Sequence, residues 1–250
     1  MIKTPYTVIT GASSGIGMAT AKLLSNLNRN LILIARRKDR LDDLKESLQR
    51  NNKSDVVVVK QDLSKIDELE DMYRYLNENY NIDVWINNAG FGADKYVENM
   101  QLHEIDSMIR TNIEAVAVLS TLFVKDHKNK ESQLINVSSL AGYYVWPNVT
   151  LYSATKFFVS AFTEGLNRDL KRSSAKLQAK VLAPALTETE FSQVSRGKKG
   201  KVDYSREYGN FNTSEDLAEF MLDLLNSNAT LGIVNEDLHL DLVDSKLPRP

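Results

Sequence analysis

The 250-residue chain carries 31 Lys and Arg against 33 Asp and Glu, a net charge of −2, with 42% hydrophobic and 26% charged residues. This is an ordinary globular balance, which excludes disorder as the dominant state and gives no electrostatic support to a nucleic acid or an anionic membrane as main partner. Cysteine is absent, so disulfides, thiolate metal sites and cysteine nucleophiles are excluded, and the three histidines, His103, His127 and His239, share no metal-ligand spacing.

Small molecules are therefore the expected partners, no metal is expected, and the cytosol is the consistent compartment. No run approaches the roughly 20 apolar residues of a membrane span, and the short apolar stretch after Pro5 does not read as an export signal.

In chain order, short β-branched runs predict strands at Tyr6 to Thr10, Leu31 to Ala35, Val56 to Val59, Val84 to Asn87, Leu134 to Val137 and Lys180 to Leu182. Helical spacing fills the gaps between them: Met18 to Leu27; Leu41, Leu44 and Leu48; Ile66, Leu69, Met72, Tyr73 and Leu76; Ile105, Ile109 and Ile113. Alternating strands and helices predict a doubly wound, Rossmann-like α/β fold, one domain of three layers over residues 1–250, with its ligand site at the carboxyl ends of the strands. Phe191 to Asn212 is irregular and basic, and a lid over the substrate is expected at 190–212. Thr213, with Asp216 three residues on, predicts a capping box opening a last helix over Ser214 to Asn226.

The first strand leads into Thr10-Gly11-Ala12-Ser13-Ser14-Gly15-Ile16-Gly17 and then a helix. Glycines at such a turn let backbone approach a pyrophosphate, whose charge the free N–H groups of the helix start stabilise. After the second strand, where an acid would receive the ribose hydroxyls of NAD, the chain has Arg36 and Arg37. Guanidinium groups match a 2′-phosphate, so NADP(H) is the expected cofactor.

Farther on come Asn87-Asn88-Ala89-Gly90, Asn112, Ser138-Ser139 and Tyr152-Ser153-Ala154-Thr155-Lys156. Tyr and Lys four residues apart share a helix face, so a cation can favour the phenolate of a residue that ordinarily titrates near ~10. Ser139 stands thirteen residues and Asn112 forty residues before Tyr152. In order and spacing this set, with the glycine loop, resembles the short-chain dehydrogenase/reductase family over Thr4 to about Phe191.

The resemblance implies an NADP(H)-dependent oxidoreductase interconverting a carbonyl and an alcohol. It implies that Tyr152 donates the proton, Ser139 hydrogen-bonds the substrate oxygen, Lys156 binds the nicotinamide ribose and lowers the Tyr pKa, and Asn112 holds a relay water. Gly11, Ser13, Ser14, Gly15, Ile16, Gly17, Asp62, Leu63, Asn88, Ala89, Gly90, Pro184 and Thr187 join the two arginines, Tyr152 and Lys156 as implied cofactor contacts. Ala185 stands where the family usually has glycine.

A homodimer or homotetramer is implied as well. Aromatic residues at Phe91, Tyr143, Tyr144 and Trp146, with Val145, suit an apolar ketone or aldehyde, whereas Arg196, Lys198, Lys199 and Lys201 of the lid read as solvated charges. Two other functions stay open on these residues: a catalytically silent dinucleotide-sensing protein of the same fold, and an isomerase or dehydratase of the same superfamily.

Overall fold

The computed structural model describes residues 4–195 and 203–248. Its elements, in chain order, are β1 (Tyr6–Thr10), α1 (Gly15–Asn26), β2 (Asn30–Ala35), α2 (Lys38–Asn51), β3 (Val56–Lys60), α3 (Leu69–Asn79) and β4 (Ile82–Asn87). They continue with α4 (Leu102–Ile109), a π-helical turn at Arg110–Glu114, α5 (Ala115–His127), β5 (Gln133–Val137), α6 (Thr150–Arg172) and β6 (Gln178–Ala183). The last part comprises β7 (Thr187–Glu188), α7 (Phe191–Ser195), α8 (Tyr204–Tyr208), β8 (Asn212–Thr213), α9 (Ser214–Asn226), β9 (Leu231–Val234) and β10 (Leu240–Val243).

The main sheet has the order β3-β2-β1-β4-β5-β6-β9-β10. Every pair is parallel except β9 with β10. Such a sheet must bury both faces, and it does so in two separate layers. On one face Leu24 of α1, Leu41, Leu44 and Leu48 of α2, and Leu217, Met221 and Leu224 of α9 pack against Ile9, Leu31, Leu33 and Ile86. On the other, Leu69, Tyr73 and Leu76 of α3, Leu119 and Phe123 of α5, and Leu170 of α6 cover Val8, Ile32, Trp85 and Leu134. The strand order reverses between β1 and β4, the switch point at whose carboxyl ends sheets of this kind bind their ligands.

All six predicted strands are present, as are the last helix and its capping box, in which Thr213 and Asp216 exchange bonds at 2.7 and 3.1 Å. The first helix starts at Gly15, three residues before the predicted start, because the glycine turn is itself its first turn. Strands β9 and β10 are additions to the sequence reading. The continuous helix Leu102–His127 is long and apolar enough by composition to cross a membrane. Much of that apolarity is the inner face, where Met108, Ala115, Leu119 and Phe123 are buried.

The expected lid divides among described and undescribed residues. Over 190–195 and 203–212 it forms α7, α8 and the first residue of β8, whose ladder with β7 fixes the segment's base. Arg196, Lys198, Lys199 and Lys201 lie outside the described residues.

Candidate active site

The glycine loop is tied across the switch point by Thr10. Its hydroxyl accepts from the backbone N–H groups of Asn88 and Ala89 at 3.0 Å each, and the Asn88 side chain returns a bond to the Thr10 carbonyl at 2.9 Å. The Asn87-to-Gly90 segment thus braces the turn. Gly11 has φ +69°, and a Cβ there would stand 2.8 Å from Ala89 Cα. A Cβ on Gly17 would meet Asn88 Nδ2 at 2.5 Å and the Gly11 carbonyl at 2.7 Å. Only backbone fits this corner, which leaves the first N–H groups of α1 open to an anion.

Ser13 and Ser14 point their hydroxyls at Arg37, which donates to Ser13 at 3.1–3.2 Å and to Ser14 at 2.7 Å. Arg36 is exposed and enters none of these contacts. Arg37 also donates to Glu190 at 2.8 Å, and Arg40, one helical turn on, donates to the other oxygen of that carboxylate at 2.7 Å. Neither Arg40 nor Glu190 was among the residues expected from the sequence.

The remaining implied cofactor residues divide. Asp62 spends one oxygen on the backbone and hydroxyl of Ser64, and Leu63 is buried in the core beside α3. Ile16 packs against the opposite core layer, while the Pro184 carbonyl holds the Leu140 N–H at 2.8 Å. Thr187 turns its hydroxyl onto the Ala185 carbonyl at 3.0 Å, and Ala185 fits against apolar neighbours without forcing a positive φ.

At the carboxyl end of β5, Ser139 caps a tight turn and its hydroxyl accepts from the Ala141 N–H at 3.1 Å. Gly142 lets this turn lie on α6: a Cβ there would come within 2.6 Å of both the Lys156 carbonyl and Ser160 Oγ. One turn earlier on α6 stands Tyr152, whose phenol the Ser139 side chain influences, favouring its ionised form. Its ring lies 5.2 Å from that of Phe191, and Gly92 fills the gap so tightly that a Cβ would stand 2.8 Å from Phe191 and 3.0 Å from Tyr152. Gly92 and Phe191 therefore shape the site, and of the two only Gly92 is not among the residues expected from the sequence.

Lys156 is buried, donates to the Val137 carbonyl at 2.9 Å, and holds its nitrogen 5.7 Å from the Tyr152 ring centroid. Burial pushes the Tyr152 phenol up to about 12 against the smaller, opposing influence of Ser139, and pushes Lys156 down to about 8. Poor hydration disfavours both charged forms, and the ammonium is committed to a carbonyl.

Asn112 sits on the π turn, where the Ala115 N–H reaches back five residues to the Arg110 carbonyl. Its amide donates to the Phe91 carbonyl at 2.8 Å and to Thr155 Oγ1 at 3.0 Å, while its oxygen accepts from the Phe91 N–H at 3.2 Å. It thereby fastens the segment after Gly90 to α6. A Cβ on Gly90 would meet Asn112 Oδ1 at 3.2 Å and Lys156 Nζ at 3.3 Å, so Gly90, Asn112 and Lys156 enclose one small space.

Among the expected substrate aromatics, Tyr143 does not serve as a wall: it packs against β6 and β9, and its hydroxyl donates to the buried Glu164 at 2.8 Å. Tyr144, Val145 and Trp146 are exposed beyond it, with the two rings edge to face at 5.8 Å. Among the described residues, no group of three or more His, Asp or Glu is placed to hold a metal.

A family profile for short chain dehydrogenases matches residues 5–200. The chain belongs to the short-chain dehydrogenase family. It is 34% identical over 211 residues to an uncharacterised oxidoreductase of Staphylococcus saprophyticus, covering 84% of this chain and 85% of that one. Its fold matches a short-chain dehydrogenase of Sphingobium yanoikuyae in complex with NADPH, with a TM-score of 0.80 and 27% identity over 92% of this chain and 87% of that one. A short-chain dehydrogenase/reductase of Burkholderia phymatum in complex with NAD has the same fold, with a TM-score of 0.80 at 22% identity, 92% and 90% of the two chains being covered. The protein is thus an oxidoreductase of this family.

Proposed function

We propose that this short-chain dehydrogenase interconverts a ketone or aldehyde and the corresponding alcohol with NADP(H) as cofactor. The observation that carries the reading is the placement of Tyr152 on α6 with the buried Lys156 nitrogen 5.7 Å from its ring, beside Ser139 at the carboxyl end of β5. The glycine corner fits the dinucleotide, because its surface is bare backbone with N–H groups free at a helix start. Gly11 to Gly17 would hold the pyrophosphate, Arg37 and Arg40 a 2′-phosphate, and Lys156, Thr187 and Gly90 would border the nicotinamide end. When bound, the dinucleotide supplies or accepts the hydride.

The protein's own residues handle the oxygen. Ser139 donates to the substrate oxygen and fixes it against Tyr152, which is fully protonated at neutral pH because enclosure holds it near about 12. In reduction, Tyr152 gives its proton to the oxygen that becomes the hydroxyl, and the Lys156 ammonium favours the phenolate left behind. Asn112 is a positioning residue that holds Phe91 and Thr155 around this space, and its π turn is the place for a relay water. Phe191, Gly92 and the exposed Tyr144, Val145 and Trp146 support an apolar substrate. A homodimer or homotetramer belongs to the same reading, and light scattering after gel filtration tests it, a monomer at micromolar concentration counting against it.

The test of activity is a panel of apolar ketones and aldehydes with NADPH, followed by loss of nicotinamide absorbance. Trp146→Ala should weaken turnover of bulky members of the panel more than small ones. No oxidation of NADPH with any carbonyl, in protein shown to bind NADPH, would favour the dinucleotide-sensing alternative.

A further inference from the structure

The end of β2 lacks the acid that would receive ribose hydroxyls, but an acid reaches the same place from elsewhere in the chain. Glu190 is 153 residues from Arg37, and its two carboxylate oxygens are divided between Arg37 at 2.8 Å and Arg40 at 2.7 Å. The three side chains are part-exposed, at 40–44%. The arginines hold the Glu190 carboxyl below the usual carboxylate range.

Its position is built rather than incidental. Tyr204 is buried on α8 and its hydroxyl binds the Thr189 carbonyl at 3.0 Å and Ser192 Oγ at 2.6 Å, so the residues on either side of Glu190 and Phe191 are pinned. Thr189 lies over the glycine loop, its methyl 3.1 Å from where a Gly15 Cβ would stand. Glu190 is thus presented to the clamp by a fixed loop.

The donors of Arg37 are already distributed: Nε and Nη2 face Ser13 and Ser14, and Nη1 faces Glu190. With the other Arg37 nitrogens on serines, a phosphate that takes Arg37 Nη1 displaces Glu190 there, and a dianion placed between Arg37 and Arg40 is repelled by the carboxylate. A cofactor with a 2′-hydroxyl meets no such conflict. We propose that Glu190 is a cofactor-discriminating residue: it competes with the 2′-phosphate of NADP(H) for Arg37 and Arg40, and so keeps the preference for NADP(H) over NAD(H) below what the two arginines alone would give.

This rests on the proposed NADP(H) function, and one titration series separates the two. Dissociation constants for NADPH, NADH and 2′,5′-ADP are measured, by nicotinamide fluorescence and by calorimetry, in wild type, Glu190→Gln, Glu190→Asp and an Arg37→Ala, Arg40→Ala background with and without Glu190→Gln. Two part-exposed ion pairs correspond to an expected tightening of NADPH and 2′,5′-ADP of about three- to tenfold in Glu190→Gln, with NADH changed by less than about twofold. Glu190→Asp should remain near wild type in this preference, and the effect should vanish in the double-alanine background. NADPH affinity unchanged or weaker in folded Glu190→Gln, with wild type still preferring NADPH, overturns the Glu190 inference alone. Wild type preferring NADH, with no response to Arg37→Ala and Arg40→Ala, overturns the NADP(H) reading. Tightening of NADPH that persists in the double-alanine background also overturns the inference, since competition needs the arginines.

Discussion

Tyr152 and Lys156 face the same poorly hydrated space and titrate away from their ordinary values in opposite directions, the phenol to about 12 and the ammonium to about 8. For reduction the consequence is a pH limb set by lysine. The ammonium is present below about 8 and is lost as pH rises through it, so the single-turnover rate of carbonyl reduction should be level at neutral pH and fall above about 8. Lys156→Ala should be slower and lose that limb; a wild-type profile flat to high pH would contradict the assignment. The arginines give a second prediction at this scale. Arg37 makes the serine contacts and Arg36 is exposed, so Arg37→Ala should weaken NADPH by about tenfold or more, as for loss of a charge-assisted bond. Arg36→Ala should change it by less than about twofold, and NADPH titrations of the two variants check both.

Elements meet most tightly where the Ser139 turn lies on α6. Because a Gly142 Cβ would press on the Lys156 carbonyl, Ser160 and, closest of all, Ser138, Gly142→Ala should cost about 1–3 kcal/mol of stability and disturb Ser139 and Lys156 together. Urea denaturation and activity of the same variant measure the two effects, and a fully active variant of wild-type stability would argue against this packing. The elements themselves were largely legible in sequence, since β-branched runs and helical spacing are local properties. Strands β9 and β10 were not: Leu231–Val234 is only four residues, and β10 has three exposed residues, so neither offers a periodicity to read. At the site, the glycine turn, Asn112, Ser139, Tyr152 and Lys156 were singled out by a resemblance in order and spacing to a known family. Arg40, Glu190 and Gly92 were not, because their contacts arise only when the segment after β7 folds back over the glycine loop, the start of α2 and Tyr152.

At the scale of the whole molecule, one chain of buried polar side chains joins four elements behind the site. Asn87 donates to Ser120 at 3.1 Å and to Asn136 at 2.9 Å, and Asn136 donates to Thr163 at 2.8 Å, linking β4, β5, α5 and α6. At the end of α5, His127 is buried and stacked on Phe123 at 4.1 Å, and burial pushes it down to about 4. The unfolded chain binds its proton near the ordinary value of 6.5, so between 6.5 and about 4 it holds more protons than the folded chain. This contribution to stability is complete above 6.5 and is lost as pH falls toward 4. His127→Leu should reduce the slope of stability against pH within that window, measured as the difference in urea midpoints from wild type; an unchanged slope would contradict a neutral buried imidazole.

The central claim, that Tyr152 is the proton donor of an NADP(H)-dependent oxidoreductase, is tested most directly by comparing wild type with Tyr152→Phe. One stopped-flow measurement follows NADPH fluorescence first on mixing with enzyme and then on adding a carbonyl compound that wild type reduces. The account predicts NADPH binding within about twofold of wild type and a loss of turnover of about 10²-fold or more, the range expected when a general acid is removed. Turnover near the wild-type rate in Tyr152→Phe, with NADPH bound, would contradict it.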